Sequence, residues 1–266
     1  MKSLLVVYGR VGDIVSSMLA AACADEKYGT PDILVHERYS AVADLLKEDG
    51  APVSDVVKTG VSCRLLDDCV SGLNMSRLSG EILKFMYPGY DRYLNCAPRG
   101  IPKGTSIAVY MAYCAGVSER YDVQPRSFPI LHRALTRRRP GPMACFHFGS
   151  SDEARKIVPG DRMCEGYTSV CMGGKNDPCP EWIDVDMRGA SLRESVETML
   201  VSGVVCGTDS AFTHLSGIYG IPTVCVHNSA SAMMVYNRSI YGRNCKSVIG
   251  MDNFRNVANA SMRNIP

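Results

Sequence analysis

Two glycines and an acid that directly follow the first apolar run of the chain are candidates for chemistry. Ser3 to Tyr8 is a near-continuous apolar run, and Gly9-Arg10-Val11-Gly12-Asp13 comes next. A turn from a buried strand into a helix is the ligand-facing corner of an open α/β sheet. At the start of that helix, Asp13 either caps the helix or acts as an exposed general base. The loop lacks the third glycine of G-x-G-x-x-G, which disfavours a dinucleotide site.

The segment from Gly203 to Asn228, GVVCGTDSAFTHLSGIYGIPTVCVHN, is a second candidate site. Its pattern predicts a strand, a turn, a helix, a Gly-Ile-Pro break and a further strand. The residues Thr208-Asp209-Ser210 are helix N-cap candidates, so backbone N–H groups and the helix dipole would point at the turn. That geometry binds phosphate, and the hydroxyls of Ser210 and Thr213 would add hydrogen bonds. His214 lies one turn into an apolar helix and fits either the core or a ligand contact.

The cysteines and histidines do not predict a metal site. Twelve cysteines are scattered along the chain without C-x-x-C spacing, and the five histidines do not join them at zinc-ligand spacing. Many of the cysteines lie in apolar runs, where a thiol behaves as a small hydrophobe. We therefore expect reduced thiols in a reducing compartment, and a cytoplasmic protein.

Bulk composition is that of an ordinary globular protein. The chain has 266 residues, of which 46% are hydrophobic and 21% charged, and its net charge is +2. This charge predicts no general attraction to nucleic acid or to acidic membranes. No apolar run reaches the roughly 20 residues of a membrane-spanning helix, and the brief apolar start is interrupted too early for a signal peptide.

The first half of the chain alternates short apolar runs with helical stretches, which is typical of a parallel sheet covered on both faces. Residues 60–80 are rich in Gly and Ser, have weak periodicity, and predict a surface excursion. We predict strands over 3–8, 33–36 and 55–58, and helices from Asp13 onward, over 41–48 and over 107–115, the last ending near Gly116.

A linker is predicted at Arg137-Arg138-Arg139-Pro140-Gly141-Pro142, where prolines and glycine stop regular structure. A second α/β series follows it, with strands over 143–148, 168–172, 203–206 and 223–227 and helices over 191–201 and 210–219. We therefore predict two domains, 1–138 and 139–266. Ligand sites prefer the cleft between such domains.

Several separated segments resemble glycosyltransferase family 9, the ADP-heptose:lipopolysaccharide heptosyltransferases. VVYGRVGDIVSS resembles the family's first strand and its Gly-Asp turn, and GTDSAFTHLSGIYGIPT resembles its G-x-D-S/T-G-x-x-H-L-A signature. FHFGSSDEARKIVP resembles its H-P-G…K-x-W-P segment, and SVCMGG its second strand and Gly-rich turn. Ala211, Val158 and Phe148 stand where the family commonly has Gly, Trp and Pro.

The resemblance implies the GT-B fold: α/β, with two Rossmann-like domains facing a central cleft. It implies Asp13 as general base in a single inverting displacement, on an acceptor-side loop made by Gly9, Arg10 and Gly12. Lys156, or Arg155 beside it, would stabilise the departing diphosphate together with the N–H groups of Ser210 and Ala211. Asp209 would cap the helix or accept hydrogen bonds from sugar hydroxyls. The remaining donor-binding positions that it implies are Gly149, Ser150, Gly173, Gly174 and His214.

The implied reaction moves a sugar from a nucleotide-diphosphate donor to the hydroxyl of a glycan or another acceptor, without metal or cofactor. Three alternatives stay open: a nucleotide-sugar epimerase or hydrolase, a non-catalytic nucleotide-sugar-binding protein and, last, a nicotinamide-dependent dehydrogenase. The run Arg137 to Arg139 fits a solvated linker, or a surface that holds a polyanionic acceptor, including nucleic acid.

Overall fold

The computed structural model divides the chain into two compact units. Unit 1 comprises Met1–Ile101 and Ile107–Pro129, and unit 2 comprises Pro102–Ser106 and Ile130–Pro266. For residues 75–80 the backbone alone is described. The structure describes residues 1–7, 9–61, 75–96, 101–102, 105–122, 131, 136–150, 158–228 and 244–262.

Unit 1 contains a four-stranded parallel sheet with strand order β3-β2-β1-β4. All four residues of β1 are buried, as expected for an uninterrupted apolar run inside a sheet. The core on one face of this sheet includes Leu4, Val6, Leu34 and Leu83. The strands are β1 (Ser3–Val6), β2 (Asp32–His36), β3 (Val56–Thr59) and β4 (Arg92–Asn95).

The helices of unit 1 cover this sheet. The first begins at Val11, two residues earlier than predicted, and is separated from the second at Ser17, whose hydroxyl donates to Ile14 O (2.8 Å). Alanines dominate the buried part of the second helix, which contacts the fifth. The helices are α1 (Val11–Ser16), α2 (Met18–Tyr28), α3 (Ser40–Glu48), α4 (Met75–Met86) and α5 (Ile107–Cys114).

The predicted surface excursion over 60–80 is wrong for its last part, because residues 75–80 belong to α4. Met75, Leu78, Ile82 and Met86 recur at helical spacing, but the serines and Gly80 between them hid this period. Residues 62–74 lie outside the described residues. Strand β4 was not predicted, since Leu94 is its sole buried residue and the apolar signal is correspondingly short.

Unit 2 contains a six-stranded parallel sheet with strand order β10-β9-β8-β5-β6-β7. The two central strands, β5 and β8, are buried almost throughout, and so is β9 beside them. The strands are β5 (Met143–His147), β6 (Thr168–Cys171), β7 (Val185–Asp186), β8 (Val204–Thr208), β9 (Thr223–His227) and β10 (Cys245–Ile249).

The described helices of unit 2 are α6 (Leu192–Val201), α7 (Ala211–Ile218) and α8 (Met251–Met262). Helix α6 begins with a capping box: Ser191 Oγ accepts from Glu194 N–H, and Glu194 Oε2 accepts from Ser191 N–H. Helix α8 packs on β9 and β10 through Phe254, Ala258 and Met262. Neither α8 nor the edge strands β7 and β10 were predicted from the sequence.

The core on one face of the unit 2 sheet includes an aromatic cluster. Phe146 and Phe148 are stacked with ring centroids 5.8 Å apart, and the chain's single tryptophan, Trp182, lies edge-on to Phe146 at 5.2 Å. Trp182 Nε1 donates to Pro159 O (3.2 Å), which satisfies the indole's one donor. This packing holds the end of β5, where His147 lies between the two phenylalanines in sequence.

Ten cysteines fall among the described residues, and all ten are free thiols. Seven are buried: Cys23, Cys96, Cys145, Cys164, Cys171, Cys206 and Cys225. Burial raises the pKa of the Cys145 thiol to about 12, so that thiol stays protonated and packs as a small apolar group. In the part of the chain that the structure describes, no helix is both long and apolar enough to cross a membrane.

Candidate functional site

The ends of three neighbouring strands bring polar residues together in unit 2. His147 ends β5, Gly173 and Gly174 follow β6, and Asp209 and Ser210 follow β8. Because β6, β5 and β8 are adjacent and parallel, their carboxyl ends lie at the same edge of the sheet. Ligands of open α/β sheets bind at this edge.

The turn between β8 and α7 is closed by the hydroxyl of Thr213. Thr213 Oγ1 accepts from Ser210 N–H (3.1 Å) and lies 2.8 Å from Ser210 O and 3.1 Å from Thr208 O. Thr213 is buried. The Ser210 N–H group and the Thr213 hydroxyl, which we expected to contact a ligand, are thus used inside the turn. Thr213 stands three residues after the N-cap, where a side-chain oxygen can accept from the N-cap N–H. Its hydroxyl is therefore used in the cap rather than offered to a ligand.

The start of α7 still presents donors to the sheet edge. Ser210 is the N-cap, with extended backbone angles (φ −155°, ψ 175°). The N–H groups of Ala211 and Phe212 belong to the first helical turn, which has no acceptors within the helix. Together with the helix dipole, they give this end of α7 the character of an anion site.

The hydroxyl of Ser210 is held from the side by a buried histidine. Ser210 Oγ lies 2.7 Å from His147 Nδ1, and His147 Nε2 lies 3.2 Å from Asp177 Oδ2. Asp177 Oδ2 also accepts from Gly174 N–H at 2.6 Å. The ring of Phe212 covers that of His147, with centroids 4.6 Å apart. These contacts form one hydrogen-bonded chain, Asp177–His147–Ser210, across the ends of β6, β5 and β8.

The glycines predicted for donor binding make room for the Asp177 carboxylate. A Cβ atom at Gly149 would lie 2.2 Å from Asp177 Cγ, and one at Gly173 would lie 2.5 Å from Asp177 Oδ2. Gly173 also has φ +134°, which side-chain-bearing residues rarely adopt. We expected Gly173 and Gly174 to admit a ligand; in the structure, Gly173 makes room for an acid of the same chain, as Gly149 does.

An arginine fixes the loop that carries Asp177. Arg188 Nη1 donates to Asp177 O (2.5 Å), while the same guanidinium binds both carboxylate oxygens of Asp186 (2.9 and 2.6 Å). Hydrogen bonds from the Arg188 side chain and backbone lower the pKa of Asp186 to about 2. The loop is thus held in place by a group that stays charged at any ordinary pH.

Asp209 and His214 lie beneath the turn. Both are buried, and His214 Nε2 lies 3.3 Å from Asp209 Oδ1. Burial, together with the negative charge of Asp209, raises the pKa of the nearby Cys245 thiol to about 12. This placement favours the core interpretation of His214. The role of Asp209 as a helix cap or as an acceptor for sugar hydroxyls stays a prediction.

The loop of Gly9 to Asp13 in unit 1 has the same construction as the loop of Gly173 to Asp177. Asp13 Oδ2 accepts from Arg10 N–H (2.8 Å), so the acid caps α1 as its third residue. A Cβ atom at Gly9 would lie 2.3 Å from Asp13 Oδ2. Asp13 is half-buried and stands after the carboxyl end of β1. Capping therefore holds the carboxylate in a fixed orientation, as a general base also requires.

The remaining predicted site residues fall partly outside the description. Gly12 lies within α1, and Ser150 is half-buried just beyond β5. Arg155 and Lys156 lie outside the described residues. In the arginine run, Arg137 Nη1 binds Glu197 Oε1 (2.9 Å), and Arg139 donates to the carbonyls of Thr136 and Arg138. No group of His, Cys, Asp and Glu able to hold a metal ion occurs among the described residues.

Solved structures with a similar fold include heptosyltransferases. E. coli heptosyltransferase WaaC with ADP superimposes with a TM-score of 0.65 at 14% identity, over 99% of this chain and 98% of that one. The fold is therefore of the GT-B type. This confirms the α/β fold class, with two Rossmann-like domains, that the sequence predicts.

Two further structures are similar over most of their length. E. coli ADP-heptose lps heptosyltransferase II has a TM-score of 0.60 at 14% identity and covers 93% of this chain and 90% of that one. A glycosyl transferase family 9 protein from Veillonella parvula has a TM-score of 0.57 at 11% identity and covers 100% and 90%. No family model matches the sequence. No curated protein matches it either.

Sequence reasoning missed Asp177, although the sequence contains a signal for it. Gly9 to Asp13 and Gly173 to Asp177 share the spacing G-x-x-x-D directly after a strand. In both, the N–H of the residue after the glycine donates to the acid. The contact between Asp177 and His147 depends on β6 pairing with β5, and strand order cannot be inferred from spacing.

Proposed function

We propose that this chain is a glycosyltransferase that uses a nucleotide-diphosphate sugar as donor. The observation that carries the proposal is the similarity of the fold over 99% of the chain to a heptosyltransferase solved with ADP. The start of α7 supports it independently, because that helix end lies at the carboxyl edge of the sheet and is built to bind an anion. Because heptosyltransferase WaaC was solved with ADP, we take an ADP-sugar as the first donor to test.

The donor diphosphate is proposed to bind unit 2 at the start of α7. The N–H groups of Ala211 and Phe212 would donate to phosphate oxygens, and the Ser210 hydroxyl would add a third donor. Lys156 or Arg155 would supply positive charge as the leaving diphosphate gains negative charge. These groups together would take the part that a divalent metal plays elsewhere, so the proposed reaction is independent of metal.

Asp13 is proposed as the general base. Arg10 N–H holds Asp13 Oδ2, and this fixes the carboxylate that would receive the proton of the acceptor hydroxyl. The acceptor oxygen forms a bond to the anomeric carbon as the bond from that carbon to the diphosphate oxygen breaks. A single displacement of this kind inverts the anomeric centre. The acceptor is a glycan or another molecule that carries a hydroxyl group.

Asp13→Asn tests this role without removing the cap, because the amide oxygen of asparagine still accepts from Arg10 N–H. We expect transfer to fall about a hundredfold to ten-thousandfold, the usual contribution of a general base, while ADP binding is unchanged. Mass spectrometry of glycan acceptors incubated with ADP-sugars, with and without EDTA, would measure the transfer.

Asp44→Asn is the matched control, since it makes the same change of charge at an exposed pair with Lys58 in unit 1. Undiminished turnover of the Asp13→Asn variant would remove Asp13 from the mechanism. Release of free sugar at the same rate with and without acceptor would instead identify a hydrolase. Loss of turnover in EDTA would contradict metal independence.

A further inference from the structure

The hydrogen-bonded chain Asp177–His147–Ser210 fixes the position of the Ser210 hydroxyl and also the direction of its hydrogen bond. His147 is buried, and both of its ring nitrogens have partners within the chain, Ser210 Oγ at 2.7 Å and Asp177 Oδ2 at 3.2 Å. Asp177 is itself fixed by Gly174 N–H and by Arg188. The imidazole ring of His147 is therefore held in one orientation and cannot flip.

The carboxylate decides which nitrogen of His147 carries a proton. An ionised carboxylate only accepts hydrogen bonds, so His147 Nε2 must donate to Asp177 Oδ2. In the neutral ring, Nδ1 then has the lone pair and accepts from the Ser210 hydroxyl. In the doubly protonated ring, Nδ1–H donates to Ser210 Oγ, and the hydroxyl proton is directed elsewhere.

The protonation state of His147 decides whether Ser210 offers a ligand its oxygen or its proton. With neutral His147, the serine proton is used inside the protein and the oxygen offers lone pairs, which repel a phosphate oxygen. With protonated His147, the serine offers its proton to the phosphate. The imidazolium also places a positive charge one hydrogen bond away from the anion.

We propose that His147 is a positioning residue whose uptake of a proton accompanies donor binding and turns the Ser210 hydroxyl toward the diphosphate. The inference deepens the proposed function and depends on it. Of the described charged groups, Asp177 faces the ring from the loop after β6 and stabilises the imidazolium. The positive charge of Arg188, which binds that loop, disfavours the imidazolium. The two carboxylate oxygens of Asp186 offset this charge. From α7, the uncharged groups Ser210 and Phe212 face the ring.

Calorimetric titration of the full chain with ADP-glucose tests the proposal. In this ligand each phosphate carries one ester and one anhydride linkage and has no group that titrates near neutral pH, so the ligand takes up no proton of its own. At about pH 8 we expect uptake of about one proton per ligand, seen as a difference in binding heat between HEPES and Tris buffers. Because binding takes up a proton, affinity should fall as the pH rises.

Two variants separate proton uptake from packing. In His147→Asn, the side-chain amide stays within reach of Ser210 Oγ but cannot gain a proton, so we expect binding to persist with no buffer-dependent heat. In Asp177→Asn, the amide oxygen still accepts from Gly174 N–H, but the charge that stabilises the imidazolium is gone, so uptake should fall. His36→Asn is the control, because His36 also ends a strand and its Nδ1 accepts from Arg38 N–H (3.1 Å).

The outcomes are distinct. Equal heats in the two buffers for the unaltered protein overturn the proton uptake and leave the proposed function standing. Buffer dependence that survives His147→Asn likewise overturns the role of His147. If neither ADP-glucose nor ADP binds, the proposed donor site fails, and this inference fails with it.

Discussion

At the scale of residues, the protein twice uses a glycine to make room for an aspartate. Gly9 precedes Asp13 and Gly173 precedes Asp177 by four positions, and each acid accepts the N–H of the residue after the glycine. Ideal Cβ atoms at the two glycines would lie 2.3 and 2.5 Å from the carboxylate oxygens. The absence of a side chain at these positions therefore leaves room for each carboxylate, and the backbone N–H fixes its direction.

Gly173→Ala is expected to displace Asp177 and with it the contact to His147. The new Cβ would also meet His147 Cδ2 at 2.7 Å, and φ +134° is strained for alanine. We expect the free energy of unfolding to fall by about 1–3 kcal/mol, measured by urea denaturation. Gly174→Ala is the matched control, because its Cβ would lie 3.4 Å from Asp177 Oδ2. Equal stability of the two variants would contradict the argument.

At the scale of elements, most of the strands that were predictable are buried on both faces. Strands β1, β5, β8 and β9 are buried almost throughout and mainly apolar, and the sequence predicts each of them. Strands β4, β7 and β10 expose much of their length and lack that signal. Helix α8 buries three residues at a spacing of four, in a segment otherwise rich in asparagine, and was also missed.

The candidate site was predictable only where it is local in sequence. The capped start of α7 follows from Thr208-Asp209-Ser210, and the turn before α1 from Gly12-Asp13. The chain Asp177–His147–Ser210 joins three strand ends that are 30 and 63 residues apart in sequence. Its existence depends on the order of strands in the sheet, which hydrophobic periodicity does not specify.

Hydrogen bonds to Asp184 stabilise the edge of the unit 2 sheet, and this stabilisation should weaken in acid. Asp184 Oδ2 accepts from the backbone and hydroxyl of Ser169 (both 2.9 Å), and Arg162 Nη1 donates to its other oxygen (3.0 Å). The hydrogen bond from Arg162 is the largest of the effects that lower the pKa of Asp184 well below its usual range.

We expect Asp184→Asn to destabilise the protein at neutral pH and to cost less as the medium is acidified. A carboxyl whose pKa is lowered by folding stabilises the protein above its unfolded pKa, near 3.9, and loses that contribution as pH falls toward the folded value. The difference in unfolding free energy between the two proteins should therefore shrink below about pH 4. Asp161→Asn, at an exposed pair with Arg255, should have little effect at any pH.

At the scale of the whole molecule, each unit has its own parallel sheet and its own core. The proposed donor-binding groups all belong to unit 2, and the proposed base belongs to unit 1. Donor binding and proton transfer are thus assigned to groups that fold around different sheets. A ligand that engages the donor groups alone should stabilise unit 2 selectively.

Hydrogen exchange on the full chain tests this assignment. We expect ADP to slow exchange at the start of α7 and at Gly174, because these N–H groups contact the phosphates or support those that do. Strands β2 and β3 of unit 1 should exchange at unchanged rates. Adenosine, which lacks the phosphates, is the control and should leave α7 unprotected. Protection by ADP confined to unit 1 would contradict the placement of the donor.

The position of Trp182 makes the protein its own optical probe. All indole fluorescence comes from Trp182. Its ring contacts those of Phe146 and Phe148, the residues before and after His147 in sequence. Its emission therefore reports the packing beneath a single strand end, without a dye or a label. A change in the wavelength or intensity of indole emission can therefore be assigned to unit 2 directly.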